Sequence, residues 1–387
     1  MPSDLDTRRL ADKARISDIA TSKTLPAYYY TDPAVLEIEK RELFFKSWQF
    51  ACFAQELPKP GSFFTMSIFD QEIFLVRGQD DQIRAFYNVC VHRGHTLVEG
   101  QGEKARLVCP YHAWMYDLTG QLVGVRRGEG TTEVTKSDIS LAEVRVDRIL
   151  DLVFVNLDPE AEPLETYAAG LAEDISSRIP GLDSFISRPG AGPQRTMPMQ
   201  CNWKAVVDNF LECYHCETAH PTFCDMFQAG CVTHSFSQNH MLQHLPSAGK
   251  SETLAYPIDL EHDLLDGNFW FLFPNTTIGQ TPGTPALFVS SIIPEGPETA
   301  TRHGRSIISP DYDAERDRAR QEWTISHVVA EDVALCEGVQ RGMRSQGFNQ
   351  GLYMIDPDQE NFTEEGVRFF QTRYAAALED TLAARTR

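Results

Sequence analysis

The chain has 387 residues, 42% of them apolar and 23% charged, with a mean hydropathy of −0.32. This is the composition of a folded globular protein with room for two or three domains of roughly 150 residues, and it excludes a disordered or fibrous chain. Basic residues number 35 and acidic residues 55, a net charge of −20, whose field repels nucleic acid and anionic membranes alike.

Residues 1–45 read as a peripheral helical segment that packs on a larger domain, with Asp32–Pro33 as a helix start ahead of AVLEIEKRELFFKSW. The polar opening, MPSDLDTRRLADKARISD, has no apolar signal core, and no run of about 18 apolar residues follows anywhere, so a cytoplasmic protein is expected. Between 46 and 158 the pattern changes to short aromatic and β-branched runs: SFFTMSIF, EIFLVRG, IRAFYNVC and ILDLVFVNL. Turn-forming residues separate them, which predicts an antiparallel β domain. DPEAEP, at 158–163, is the boundary. Residues 159–387 combine strand-like GNFWFLFPNTTIG and ALFVSSIIPEG with two long helical stretches, AERDRARQEWTISHVVAEDVALCEGVQRGMR and TEEGVRFFQTRYAAALEDTL. The fold class expected is therefore α+β: an antiparallel β domain, then an α+β domain whose antiparallel sheet is flanked by helices.

Nine cysteines, an odd number, do not suggest a disulfide framework; most are expected as small buried apolar side chains. Two of them carry more information. In NVCVHRGHTLVEGQGEKARLVCPYHAWMYDLTGQL, Cys90 and His92 are followed after sixteen residues by Cys109 and His112. Residues at i and i+2 of an extended segment share a side, so Cys90 and His92 can grip one object; Cys109 and His112 do so from a Pro-Tyr turn. Mononuclear zinc is one occupant. A Rieske [2Fe–2S] cluster is the other, both thiolates on one iron and both imidazoles on the second. Zinc fingers group Cys with Cys and His with His, whereas here each loop offers one of each. Pro110, Tyr111 and Trp114 would form an apolar lid, and His95 is read as a structural or exposed residue.

The second constellation lies in CNWKAVVDNFLECYHCETAHPTF, read as one helix with Trp203, Val206, Val207, Phe210 and Tyr214 as its apolar stripe. Asp208, Glu212 and His215 fall on a neighbouring stripe. His220 is too far along to share that face, but Pro221 disfavours helix at His220 and lets its ring swing back. Two imidazoles converging at a helix end make two-thirds of a facial triad for non-haem iron. Asp332 is the third candidate. It sits on the helix face expected to bury Val328, Val329, Leu335, Cys336 and Val339, where an unpaired carboxylate is costly. Glu331, one step round, is read as solvent-facing, and a structural salt bridge from Asp332 to an Arg is the alternative role for Asp332.

These residues resemble the Rieske non-haem iron oxygenases. CVHRGHTL…CPYHAWMYDLTGQL is similar to that family's cluster motif, and Glu212, His215, His220 and Asp332 match its D/E-x-x-H-x4-H motif with a distant Asp. The resemblance covers about residues 28–342. It implies a [2Fe–2S] cluster on Cys90, His92, Cys109 and His112. It also implies mononuclear Fe(II) on His215, His220 and Asp332, with Glu212 as the acid that bridges this iron to the cluster of a neighbouring subunit in a homotrimer. The expected reaction uses O2 and electrons from NAD(P)H. No dinucleotide fingerprint follows a strand here, so the electrons should come from a separate reductase, with or without a ferredoxin. Arg93, Lys104, Arg106, Arg126 and Arg127 near the cluster motif read either as a docking patch for such a donor or as scattered solvated charge.

For the substrate, the ECYHC stretch resembles the branch that oxidises carnitine, glycine betaine and stachydrine. This implies oxidative N-demethylation or C–N cleavage of a betaine-type quaternary amine. The alternatives are hydroxylation or O-demethylation of an aromatic acid and, from another class, a non-catalytic Rieske electron carrier. Phe269, Trp270, Phe271 and Phe273 are read mainly as core, with some available to line a pocket for an aromatic ring or a quaternary ammonium.

Overall fold

The computed structural model describes residues 23–126, 135–188, 195–355 and 363–385. The chain divides into two compact units: Phe44–Thr166 is one, and the described residues before and after it form the other. The segment ahead of Phe44 is thus a part of the second unit rather than a separate body.

The first unit is all antiparallel β. Its strands are β1 (Gln49–Phe53), β2 (Ser62–Ile68), β3 (Gln71–Arg77), β4 (Ile83–Tyr87), β5 (Gln101–Glu103), β6 (Leu107–Val108), β7 (Met115–Tyr116), β8 (Leu122–Gly124), β9 (Glu143–Ile149) and β10 (Leu152–Asn156). Seven of them form one sheet in the order β1-β10-β9-β4-β3-β2-β5, and β6-β7-β8 form a small second sheet. Where a strand lies between neighbours and under a covering layer, its residues are apolar without alternation: β10 is buried along its whole length. Phe74, Phe86, Leu107 and Tyr116 make a core that also encloses Cys90 and Cys109, so the two cysteine loops stand on packed material rather than on free surface.

In the second unit, Asp32 caps α1 (Pro33–Glu42), its side chain accepting from the Ala34 N–H at 2.9 Å, as the Asp-Pro start predicts. The other principal elements are α2 (Leu171–Arg178), β11 (Ile186–Ser187), β12 (Arg195–Met199), α3 (Trp203–Phe210), β13 (Thr233–Phe236), β14 (His240–Leu245), β15 (Gly267–Leu272), β16 (Thr276–Gln280), β17 (Ala286–Gly296), β18 (Thr299–Ile308), α4 (Ala314–Thr324), α5 (Ala330–Met343) and α6 (Glu365–Arg385). The antiparallel sheet runs β11-β18-β17-β16-β15-β14-β13, with β12 also on β18. One face meets α2, where the Trp270 indole N–H donates to Asp174 at 2.6 Å. The other meets α3 and α6: Phe269 packs against Phe210 and Phe271 against Phe370. No helix among the described residues is long and apolar enough to cross a membrane.

A buried polar node ties α1, α3 and α6 together. Lys204 and Glu39 are both 0% exposed and form an ion pair at 2.5 Å; Tyr374 and Trp203 also donate to the Glu39 carboxylate. The Lys204 ammonium sits 5.1–5.4 Å from the rings of Tyr30, Trp203 and Tyr374. One turn on, Asp208 accepts from the Tyr30 hydroxyl at 2.5 Å and from Gln371 at 3.0 Å. Burial, opposed by those bonds, pushes its carboxyl up to about 7.

Three local expectations are corrected. The single helix read over 201–223 ends at Phe210, and short helices follow at Cys216–Ala219 and Pro221–Cys224. At this end Gly366, in the first turn of α6, lies against the Leu211 carbonyl, where any side chain would collide. Asp208 therefore does not share a stripe with Glu212 and His215, and Tyr214 is exposed rather than apolar core. Leu335 and Val339, read as buried, are 40% and 46% exposed. Between α4 and α5, Ile325–Val329 forms a turn of π-helix, which rotates the faces downstream of it relative to a straight helix. Finally, Cys213 and Cys216 are joined in a disulfide, their Cα atoms 4.9 Å apart. The turn after α3 brings together a pair that a helix with free thiols would not.

Candidate metal centres

The Cys90 and Cys109 loops are built alike. The Cys90 N–H donates to the His95 carbonyl and the Cys109 N–H to the Trp114 carbonyl, each at 2.8 Å. Four residues after each cysteine the backbone enters the left-handed region, at Gly94 (φ 74°) and at Ala113 (φ 57°). These tight returns turn both imidazoles to one side: the His92 and His112 rings lie 4.7 Å apart at 78°. Both cysteines are buried, and the two thiols lie close enough to perturb one another. Tyr116 meets the Cys90 sulfur at 3.2 Å, a donor placed to act on a thiolate. Trp114 stacks on His92 at 4.7 Å and 8°, whereas Pro110 and Tyr111 are open to solvent, so Trp114 carries most of the expected lid. His95 is exposed, its Nδ1 bonded to the Thr96 carbonyl, and stands apart from the four. Arg93, Lys104, Arg106 and Arg126 are exposed; Arg127 lies outside the described residues.

This donor set fits a Rieske cluster. The His112 Nδ1 is buried and has no hydrogen-bond partner, a costly state for an imidazole nitrogen unless it meets a ligand. Two thiols and two imidazoles in separate pairs match two unlike irons.

The second site is assembled from the broken region after α3. His215 starts the Cys216–Ala219 helix and His220 ends it, leaving the helical region at φ −125°, ψ 52° immediately before Pro221. Asp332 reaches in from the first turn of α5. The ligand atoms of these three residues all lie within 4.8 Å of one another: Asp332 Oδ1 is 2.9 Å from His220 Nε2 and 3.5 Å from His215 Nε2. Each imidazole is held from behind by an acid. His215 Nδ1 bonds to Glu212 Oε1, and its backbone N–H donates to Glu212 Oε2 at 3.1 Å. His220 Nδ1 bonds to Glu331 Oε2 at 2.6 Å. An N–H donated to a carboxylate on one side leaves the opposite Nε2 as a lone-pair donor, the tautomer a metal requires. Two nitrogens and one carboxylate on one side fit Fe(II) with positions left open.

The electrostatics agree with that fit. Burial alone would lower the His215 pKa, but bonds from Asp332 and Glu212 outweigh it and push it up to about 9. Burial would raise Asp332, and the two histidines instead hold it down at about 2. The site is thus a charged trio in which a divalent cation can replace the imidazole protons.

The structure brings together His215, His220 and Asp332, with Glu212 behind His215. Glu331, read from the sequence as solvent-facing, is the residue that was missed. Its one visible signal was adjacency to Asp332, and helical geometry alone turns neighbouring side chains apart; the return of His220 lets both acids reach the same ring.

Comparison with known proteins identifies both units. "Rieske [2Fe-2S] domain" matches residues 47–135, and "Ring hydroxylating alpha subunit (catalytic domain)" matches residues 187–380. The chain is 33% identical over 359 residues to the carnitine monooxygenase oxygenase subunit of Escherichia coli (strain K12), covering 92% of this chain and 94% of that one. It is 27% identical to the chloroplastic choline monooxygenase of Beta vulgaris over 90% of this chain and 75% of that one. The crystal structure of the quaternary ammonium Rieske monooxygenase CntA with L-carnitine superposes with a TM-score of 0.81 at 30% identity, covering 93% of this chain and 97% of the other. The protein belongs to the Rieske non-haem iron oxygenases, a chain that couples a [2Fe–2S] domain to a catalytic domain for mononuclear iron.

Proposed function

We propose that this oxygenase removes an N-substituent from a betaine-type quaternary amine, by N-demethylation or C–N cleavage. Cys90, His92, Cys109 and His112 hold the [2Fe–2S] cluster, and His215, His220 and Asp332 hold Fe(II). The observation that carries the assignment is the convergence of these last three ligand atoms within 4.8 Å, with both imidazoles backed by acids. Kinship to carnitine and choline monooxygenases supports the substrate class.

When bound, the cluster supplies single electrons and the mononuclear iron activates O2. The chain's own residues set the conditions. Glu212 and Glu331 hold the two rings in the tautomer that presents Nε2, and Asp332 brings one negative charge. The substrate chemistry balances with O2, two electrons and two protons: one oxygen atom enters a C–H bond beside nitrogen and the other leaves as water. The carbinolammonium product then breaks its C–N bond to give an aldehyde, a tertiary amine and a proton. A separate NAD(P)H-dependent reductase, with or without a ferredoxin, provides the electrons. The chain works as a homotrimer, in which Glu212 spans from His215 toward the cluster of a neighbour.

Single turnover of chemically reduced, fully metallated protein tests this without the native reductase. Aldehyde release on mixing with O2 and glycine betaine, carnitine or stachydrine is expected. Hydroxylation or O-demethylation of an aromatic acid, with no reaction of any quaternary amine, would overturn it. Iron content separates the other class: two irons in the cluster and one beyond it make about three per chain, against about two for a carrier.

A further inference from the structure

The register of the second unit's sheet fixes which side chains share the face toward the ligand-bearing segments. Residues directly paired across antiparallel strands point the same way. Phe269, Gly279 and Phe288 therefore form one row, Ser290 and Gly304 the next, and Arg302 lies beyond them opposite Ile292. The Phe269 ring is 6.2 Å from Phe210 and 6.3 Å from Phe223, so this face looks toward His215 and His220. Phe269, Phe288, Arg302 and Gly304 all keep open surface, whereas Trp270, Ile278 and Val289 on the reverse face are sealed at 0%. Gly279 makes the room that the Phe288 ring fills, and Gly304 lies against the Ser290 hydroxyl.

Arg302 is the one cation on that floor among these residues. It is set deep, within electrostatic reach of Asp332 and Cys336. Its Nε donates to the Ser290 hydroxyl at 3.1 Å. Among the described residues no carboxylate lies within ion-pair distance of it, and neither Nη has a protein partner. Asp332 does not fill that role, because its oxygen is engaged by His220 and His215. An Arg stays charged, and a charge at this depth is costly until an anion meets it. With Nε fixed by Ser290, the two Nη groups make a fork of the shape that binds a carboxylate at two points.

We propose that Arg302 anchors the carboxylate of the substrate, so that the site takes zwitterionic quaternary amines and rejects choline, which has none. This rests on reading His215, His220 and Asp332 as the oxidising centre. Held by its carboxylate at β18, a betaine presents its N-substituents toward Asp332, along the face that carries the packed rings of Phe269 and Phe288.

Binding measured by anaerobic calorimetry on the metallated protein tests the proposal, with glycine betaine, carnitine and stachydrine as probes and choline as the control without a carboxylate. The wild type should bind at least one of the zwitterions about 100-fold more tightly than choline, which is about 2.8 kcal/mol. Arg302→Gln should erase that difference while keeping three irons and the Rieske absorbance, and Arg302→Lys should restore part of it. Equal wild-type affinity for choline, unchanged affinity in Arg302→Gln, or equal losses for zwitterions and choline would each overturn the anchor. If the variants do not fold, wild-type discrimination between glycine betaine and its methyl ester decides alone. If only an aromatic carboxylate binds, the amine reading fails, and the anchor stands or falls on whether Arg302→Gln abolishes that binding.

Discussion

Glu331 gives the sharpest test of the metal site, because replacing it removes no proposed ligand. Its carboxylate accepts from His220 Nδ1 at 2.6 Å, while Asp332 faces the other nitrogen of the same ring. His220 is 2% exposed, but the Glu331 side chain is 41% exposed, so water can replace part of what the acid supplies. Loss of such a partner costs metal affinity about 10- to 100-fold in general. Solvent access places Glu331→Ala near the lower end, about tenfold or 1.4 kcal/mol. Glu331→Gln, which keeps an acceptor and loses the charge, should cost less. Competition with a calibrated chelator for Fe(II) or Co(II) measures the affinity, and the Rieske absorbance in the same sample reports that the other unit is intact. An affinity equal to wild type in Glu331→Ala would refute the claim that this acid orients His220. A loss of Rieske colour would mean the variant has damaged more than one site.

Other outcomes follow from the same geometry. His215→Ala should abolish product formation and lower iron from about three to about two per chain while keeping the reddish-brown cluster; loss of that colour would mean the two centres have been confused. Glu212→Gln should keep both metals but slow electron delivery, visible as slower reoxidation of the reduced cluster during single turnover; unchanged rates would remove its bridging role. In metal-free protein, the His215 pKa of about 9 lies above the ordinary imidazole value near 6.5. Its stabilising contribution is complete below about pH 6.5 and disappears as pH rises through 9, so the melting temperature should fall across that window. Bound metal replaces the proton and should flatten the dependence; a rising or flat profile without metal would contradict the hydrogen bonding described.

What could be read in the sequence were features whose cause is local. The Asp32–Pro33 start works through a side chain and a fixed φ within one turn, and the strands of the first unit announce themselves by β-branched and aromatic runs. The cysteine and histidine spacings fix short loops whose geometry is nearly self-contained. His220 belongs to this group, since Pro221 alone moves it out of the helical region. What escaped depends on distant partners. α3 stops at Phe210, and just past that end Gly366 of α6, some 150 residues away in the chain, lies against Leu211. Leu335 and Val339 carry an apolar pattern but remain uncovered within one chain. Arg302 was invisible as a special residue, because its distinction is the lack of a partner at depth, which only the packed sheet defines.

The π-helical turn at Ile325–Val329 has a mechanical consequence for the iron site. α4 is pinned on its own side by Asp317, which pairs with buried Arg188 at 2.6 Å and with Arg320 at 2.9 Å. α5 is pinned independently, through Gln340 to the Asn202 N–H and Cys336 to the Ala205 carbonyl. Two rigid rods, each seated in its own socket, would share a common phase only by accident, at about 100° of rotation per residue. The widened turn is the coupling that takes up the mismatch. Each rod thus keeps its own seating, and the carboxylate at 332 takes its direction from the inner one alone.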